Sequence, residues 1–143
     1  LITGGEKPKE INQGWYYKPT IIECDHHNLP VAENELFGPV LSVMKFSDEE
    51  EVIKLMNDNV YGLAAGIFTE NSGIALRVSK AVRAGIVFVN TYRLISPVAP
   101  FGGFKNSGFG RESGLEAIKD YSNIKTTWLS TAKESLGDPF IIR

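Results

Sequence analysis

One cysteine and two adjacent histidines stand close together in the stretch "IIECDHHN", residues 21–28. Cys24, His26 and His27 are residue types that bind zinc, since thiolate and imidazole are among its usual ligands. A tetrahedral site also needs a second, distant pair of ligands, and adjacent histidines alone make a poor one. We therefore predict no metal site, two solvated loop histidines and an inert, partly buried thiol. A single cysteine forms no internal disulfide, which favours a reducing compartment, the cytoplasm.

A second candidate for chemistry is the glycine-rich stretch "PVAPFGGFKNSGFGRESG", residues 97–114, with five of the chain's fourteen glycines. Its "GFGRESG" is superficially like the phosphate-binding pattern G-x-G-x-x-G, but the third glycine comes one residue late and no strand precedes it. Its "KNSGFGRE" is similar to the start of an RNA-binding strand, yet a helical pattern follows and no aromatic platform for stacking bases. Neither phosphate nor RNA binding is therefore expected.

Two interpretations of the glycine-rich stretch stay open. Glycine lets the backbone pass close to a ligand or a neighbouring segment, and the three phenylalanines offer apolar wall. A long irregular stretch inside a compact domain is usually functional or disordered, and aromatic residues argue against disorder. The stretch is either a loop through an active site or a purely structural crossover.

The elements around this stretch alternate between strand and helix. We expect a helix through residues 48–58, because Ser47 and Glu50 form an S-x-x-E capping box in front of it. A second helix starts at residue 71 or 72 and ends at Ala84, with Gly85 as its C′ residue. Strands are predicted at 15–22 (broken at Pro19), 40–46, 62–68, 86–90 and 124–130, and a last helix at 114–121. This order favours an α/β fold with a largely parallel sheet.

Composition excludes several classes of function. The chain has 143 residues, 43 % hydrophobic and 22 % charged, which suits one globular domain or part of a larger one. A net charge of −2 with interspersed signs offers no face for nucleic acid, and no apolar run is long enough to span a membrane. The first residue is Leu, so we expect the chain to begin inside a longer protein.

Four motifs occur in one order between about residue 1 and Ser130: E-x-F-G-P-V, Y-G-L-A-A-G-x-F-T, A-G-x-x-x-x-N and P-F-G-G-x-K-x-S-G-x-G-R-E. In this order and spacing they closely resemble the C-terminal part of the aldehyde dehydrogenase superfamily. The resemblance implies part of a three-layer α/β catalytic domain over residues 1–121, with a mostly parallel sheet. It also implies an oligomerisation strand and tail over residues 122–143, and hence a homo-oligomer, dimer or tetramer.

The resemblance implies a reaction and a cofactor. Members of the family oxidise small aldehydes to acids with NAD or NADP, through a thioester on a catalytic cysteine that water, activated by a glutamate, hydrolyses. Glu35 would hydrogen-bond the hydroxyls of the nicotinamide-side ribose, and Phe37 would pack against the nicotinamide ring. Alternation of side chains would place both on one side of an extended segment. Without the resemblance, Glu35 is an exposed loop acid and Phe37 a core aromatic.

The resemblance also assigns a substrate pocket. The glycine-rich loop passes over the catalytic cleft in the family, and the position of Phe101 borders the aldehyde tunnel. Arg93 and Ile95 fall in the variable segment that shapes the substrate entrance. The Arg93 side chain either favours an acidic or polar aldehyde or points outward into solvent.

The family's main catalytic groups do not match anything in this chain. Its nucleophilic cysteine, general-base glutamate, oxyanion-stabilising asparagine and cofactor domain all lie upstream of E-x-F-G-P-V, and Cys24 fits no catalytic motif. We therefore expect no catalytic residue here and no activity of the chain alone. Two alternatives stay open: a non-catalytic interaction or oligomerisation module, and the coenzyme A-dependent acylating branch of the family.

Overall fold

The computed structural model describes residues 1–131, 133, 134, 137 and 140. No helix in these ranges is long and apolar enough to cross a membrane. Short strands and helices alternate, which confirms the predicted α/β class. In chain order they are β1 Thr20–Glu23, α1 Pro30–Glu33, β2 Val40–Val43, α2 Glu49–Asn57, β3 Ala64–Ile67, α3 Ser72–Ala81 and β4 Ile86–Val89, followed by 3-10 helices at Lys105–Ser107 and Leu115–Lys119.

The strands form two parallel pairs. β1 pairs with β2 in the register Thr20 to Val40, and β3 pairs with β4 in the register Ala64 to Ile86. Parallel neighbours need a crossover between them, and α3 provides it for the second pair. The prediction of a largely parallel sheet is therefore confirmed in both pairs.

The core lies where α3 packs on the second strand pair. Ile67, Val78 and Val82 form its buried cluster. Ile74, four residues before Val78, packs against the same cluster. Side chains packed against the cluster include Ile53 and Met56 of α2, and both are half-buried. The other half-buried members are Ala65, Ala84 and Val87.

The start of α2 lies one residue later than the predicted capping box. Asp48 is the N-cap, and its Oδ1 accepts from the backbone N–H of Glu51 at 2.9 Å. The Glu51 carboxylate in turn accepts from the N–H of Ser47 at 2.7 Å. The prediction of Ser47 and Glu50 was wrong in register because aspartate caps as well as serine does, and the chain offered both.

The end of α3 also differs from the prediction. The helix stops at Ala81, and Val82 is already extended. The side-chain amide of Asn57 donates to the carbonyl of Ala81 at 2.9 Å, which satisfies that helix end before residue 84. Gly85 is therefore no C′ residue. A Cβ placed on Gly85 would overlap the carbonyl oxygen of Gly102, so its glycine is needed for close backbone approach.

Other elements are shorter than predicted. Residues 15–19 form no strand, and the helix expected at 114–121 is a five-residue 3-10 helix whose side chains remain largely exposed. Conversely, the one-turn α1 at residues 30–33 was not among the predicted elements. These pieces bury little apolar surface, and packing rather than propensity stabilises most helices.

The predicted C-terminal strand is not formed within the chain. Residues 122–130 are exposed and have no regular secondary structure. A strand needs a hydrogen-bonding neighbour, and the expected neighbour belongs to another subunit. The oligomerisation strand therefore stays a prediction. Residues 132, 135, 136, 138, 139 and 141–143 of the predicted tail lie outside the described residues.

Candidate active site

The middle of the glycine-rich stretch is bound to the segment that leads into β3. The N–H of Phe104 donates to the carbonyl of Gly62 at 2.8 Å, and that of Asn106 to Val60 at 3.0 Å. The N–H of Gly62 donates to the Ser107 hydroxyl oxygen at 3.0 Å. These bonds give residues 104–107 a defined place despite their glycine-rich surroundings.

The two ends of the stretch are also joined. Phe101 and Glu112 form an antiparallel bridge, with N–H to carbonyl distances of 2.7 and 2.8 Å. The guanidinium of Arg111 lies 5.1 Å from the centre of the Phe104 ring, a cation–π contact, and donates to the carbonyl of Gly103 at 2.8 Å. The stretch is thus a closed loop with the half-buried Phe101 at its base.

A cavity of about 450 Å³ lies between this loop, the end of α1 and the ends of α2 and α3. Glu35 lines it from one side and Ser107 of the glycine-rich loop from another. The structure therefore brings the predicted ribose-binding carboxylate and the loop to one cleft. The polar lining consists of Glu33, Asn34, Glu35, Asn59, Tyr61, Arg83 and Ser107.

Glu35 follows the end of α1, which is fixed by hydrogen bonds. The Asn34 side chain donates to the carbonyl of Pro30 at 2.9 Å, and the Ser42 hydroxyl donates to that of Val31 at 2.7 Å, which ties α1 to β2. Among the described residues, the Glu35 carboxylate takes part in no hydrogen bond or ion pair. Its acceptor positions are available, which fits a ligand that presents two neighbouring hydroxyls.

Phe37 lies away from that cavity. Its side chain is 98 % exposed, so it is no core aromatic. The N–H of Gly38 donates to the carbonyl of Leu36 at 2.9 Å, and this bend interrupts the extended path that the alternation argument assumed. Strand alternation therefore does not place Glu35 and Phe37 on one side, and only Glu35 lines the cleft.

The predicted entrance residues follow β4, and the residues just before them are held by hydrogen bonds and a ring contact. The Asn90 side chain accepts from the N–H of Thr69 at 2.8 Å and donates to its carbonyl at 2.9 Å. Tyr92 packs edge-to-face on Phe88, with ring centres 5.4 Å apart. Beyond them the chain is exposed, and Arg93 has a left-handed φ of 59°.

Not all predicted site residues meet in one place. Arg93, Ile95 and Phe101 are absent from the cavity that Glu35 lines, and Ile95 is 67 % exposed. Within the described part of the chain, Arg93 and Ile95 are exposed and Phe101 is half-buried, and their place in a substrate pocket stays a prediction.

The three residues that were considered as metal ligands lie in different environments. Cys24 is buried, His26 is exposed, and the Nε2 of the half-buried His27 lies 2.6 Å from the Asp58 carboxylate. His27 is therefore a partly exposed loop histidine, as expected, but it pairs with Asp58. Across the residues that the structure describes, no group of three metal-ligating side chains is close enough to hold an ion.

Sequence reasoning assigned no role to Asn90, Lys105 or Arg111, although all three lie inside the quoted motifs. Asn90 binds the backbone of Thr69, Lys105 that of Asn57 and Asn59, and Arg111 that of Gly103. A signal was present for Asn90, since asparagine tolerates the left-handed conformation, φ 52°, that it adopts here. Lys105 and Arg111 carry no comparable local signal.

Comparison with known proteins decides the family. A family model described as "Aldehyde dehydrogenase family" matches residues 1–127. This chain belongs to the aldehyde dehydrogenase family. A dehydrogenase of Acinetobacter baylyi that acts on (Z)-2-((N-methylformamido)methylene)-5-hydroxybutyrolactone is 49 % identical over all of this chain and 29 % of its own length. An aldehyde dehydrogenase of Emericella nidulans is 47 % identical over 88 % of this chain and 25 % of its own length.

Solved aldehyde dehydrogenases have the same fold over this region. The indole-3-acetaldehyde dehydrogenase of P. syringae, in complex with NAD+ and IAA, matches with a TM-score of 0.82 and 43 % identity. An NAD+ complex of the aldehyde dehydrogenase from Bacillus cereus matches with a TM-score of 0.83 and 38 % identity. The matches cover 90 % and 91 % of this chain and 26 % of each relative. The chain thus spans between a quarter and three tenths of these relatives.

Proposed function

We propose that these residues are part of an NAD(P)-dependent aldehyde dehydrogenase that oxidises an aldehyde to a carboxylic acid through a cysteine thioester. The observation that carries the proposal is the shared cleft, which is lined both by the unpaired Glu35 and by Ser107 of the glycine-rich loop. The family membership of the chain supports the same reaction. The nucleophile and the general base belong to parts of the enzyme beyond this region.

The cofactor role falls to Glu35 and Phe37. The Glu35 carboxylate accepts hydrogen bonds from the two ribose hydroxyls, which orients the sugar, and the exposed Phe37 ring packs on the nicotinamide. The nicotinamide held by these two residues would supply the hydride acceptor for the oxidation. NAD+ in solved relatives supports NAD as the cofactor, with NADP the alternative, since the adenosine side is bound elsewhere.

The aldehyde role falls to the segments after β4. Phe101, half-buried at the base of the loop, provides an apolar wall. Arg93 and Ile95, both exposed at the approach, select among aldehydes, and the guanidinium favours an acidic or polar group through a charge-assisted contact. A substrate with an anionic end is the class that this arrangement favours.

The test is a comparison of two polypeptides. The complete polypeptide is expected to reduce NAD+ when a small aldehyde is added, and the 143 residues alone are expected to leave it oxidised. Acid as the product without coenzyme A supports the hydrolytic reaction, whereas an acyl-coenzyme A product would assign the acylating branch. No NAD(P) reduction by the complete polypeptide with any aldehyde would refute the proposal.

The C-terminal segment is proposed to join subunits in a homo-oligomer. Ile124, Trp128 and Leu129 are all more than four-fifths exposed, an unusual density of apolar surface for one short segment. Trp128→Ser is expected to shift the complete protein to a smaller assembly in light scattering, whereas Lys125→Ala in the same segment leaves the assembly unchanged. An unchanged mass for Trp128→Ser would contradict this role.

A cytoplasmic location is proposed from the single thiol of Cys24, which is buried and unpaired.

The intact mass of the natural polypeptide separates an enzyme from an interaction module. A mass several times 15.8 kDa supports the enzyme. A mass near that value would support a short protein that binds other subunits.

A further inference from the structure

Lys105 is a half-buried cation inside the glycine-rich loop, and its ammonium group faces the end of α2. Its Nζ donates to the carbonyl oxygens of Asn57 at 2.8 Å and Asn59 at 2.9 Å. Asn57 is the last residue of α2, where carbonyls lack partners within the helix and a positive charge is favoured. Lys105 therefore caps α2 from a loop 48 residues further along the chain.

The backbone of Lys105 is in an uncommon conformation. Its φ of 52° lies in the left-handed region, which residues with a Cβ adopt only when their surroundings hold them there. The two carbonyl contacts hold the side chain, and the bonds of Phe104 and Asn106 to Gly62 and Val60 hold the backbone on either side. The position of this residue is therefore fixed from several directions.

Asn57, whose carbonyl Lys105 binds, is itself hydrogen-bonded to the end of α3. The Oδ1 of Asn57 accepts from the N–H of Arg83 at 2.7 Å, and its Nδ2 donates to the carbonyl of Ala81. Asn57 thus joins the ends of α2 and α3, and Lys105 adds the glycine-rich loop to the same point. The loop is attached to the body of the domain through this ammonium group, the Ser107 hydroxyl and the backbone hydrogen bonds of Phe104 and Asn106.

Lys105 lies between two parts of the site. Phe101 precedes it by four residues, and the connecting Gly102 passes against Gly85, so the path between them is tightly held. On the other side, Asn59, whose carbonyl Lys105 binds, lines the cleft together with Glu35. A displacement of the ammonium group would therefore move Phe101, the proposed wall of the aldehyde pocket, relative to the cleft that Glu35 lines.

We propose that Lys105 is a positioning residue, which sets the place of Phe101 by binding the carbonyls of Asn57 and Asn59. This inference rests on the proposed function, since it gives the glycine-rich loop a substrate to face. Lys105 itself touches neither aldehyde nor cofactor. Its loss should therefore weaken the use of aldehyde while the binding of NAD+ is retained.

The test uses Lys105→Met in the complete polypeptide, with steady-state kinetics and direct NAD+ binding. The KM for aldehyde is expected to rise and kcat/KM to fall about tenfold, the scale of one lost charge-assisted contact. The Kd for NAD+ should stay within about twofold of wild type. Lys54→Met, an exposed lysine in the last turn of α2, is the matched control and should change neither.

A conservative variant separates positioning from general stability. Lys105→Arg retains the positive charge and is expected to recover part of the lost kcat/KM, although the guanidinium fork fits two carbonyls differently. If Lys105→Met does not fold, Lys105→Gln, which keeps a donor without the charge, replaces it. Wild-type KM in the charge-free variant, or equal losses in aldehyde use and NAD+ binding, would overturn the proposal.

A second measurement does not depend on activity. Hydrogen exchange of the Phe104 and Asn106 amides should be faster in Lys105→Met than in wild type or Lys54→Met, because the loop loses its anchor. Exchange at the wild-type rate would overturn the anchoring role. If the complete polypeptide oxidises no aldehyde but exchange accelerates, the proposed function fails while the anchor stands.

Discussion

Gly85 and Gly102 approach so closely that a Cβ on Gly85 would overlap the carbonyl oxygen of Gly102. This contact seats the glycine-rich loop on the residue that precedes β4. Gly85→Ala is expected to destabilise the complete protein by about 3 kcal/mol, since the overlap can be relieved only by backbone movement. The midpoint of thermal unfolding reports this loss.

The matched control for that prediction is Gly110→Ala in the same loop. A Cβ at Gly110 meets no atom within 4 Å, so its unfolding midpoint should stay close to wild type. Equal midpoints for the two alanine variants would show that the close approach of Gly85 is not what holds the loop.

A second prediction concerns pH and the pair that joins α2 to α3. Arg77 donates to both carboxylate oxygens of Glu49, at 2.8 and 2.7 Å, and this hydrogen bonding lowers the pKa of Glu49. A lowered pKa in the folded state contributes stability above the ordinary glutamate pKa of about 4.3 and loses it as the pH falls through the folded-state value. Glu49→Gln should therefore lower the unfolding midpoint at neutral pH but not well below pH 4.

Glu50→Gln is the control for this pH dependence. Glu50 lies in the same turn of α2, so it shares the helix dipole, but it is exposed. Its substitution should cost less than that of Glu49 at neutral pH. A Glu49→Gln deficit that persists unchanged in acid would mean that the ion pair with Arg77 is not its cause.

A third prediction concerns substrate choice. Arg93→Gln removes the positive charge at the exposed approach, so kcat/KM for an aldehyde with an anionic end should fall about tenfold relative to a neutral one of similar size. The measurement is the ratio of the two kcat/KM values. An unchanged ratio would place the Arg93 side chain in solvent, with no part in selection.

The sequence predicted the alternation of elements better than their ends. The parallel pairs and the buried face of α3 follow from local apolar patterns, which the fold retains. The start of α2 depends on Asp48, although the neighbouring Ser47 is an equally good helix cap. The end of α3 depends on its hydrogen bond with Asn57. Asn57 satisfies Ala81 from another helix, and no local pattern reveals such a bond.

The same division holds for the candidate site. The motifs pointed to Glu35, and the structure places it in a cleft with the glycine-rich loop. The bend at residues 36–38 could not be read from alternation, so the separation of Phe37 from that cleft was unexpected. The role of Lys105 was equally hidden, because its partners are backbone carbonyls distant in the chain.

The claim that these residues form the nicotinamide side of a dehydrogenase site is tested most directly at Glu35. Single-turnover reduction of NAD+ by aldehyde should slow about tenfold or more in Glu35→Gln, because a loosely held nicotinamide is misplaced for hydride transfer. Glu33→Gln, which alters another acid lining the same cavity, should leave the rate within about twofold of wild type. Equal rates for wild type and Glu35→Gln would contradict the account.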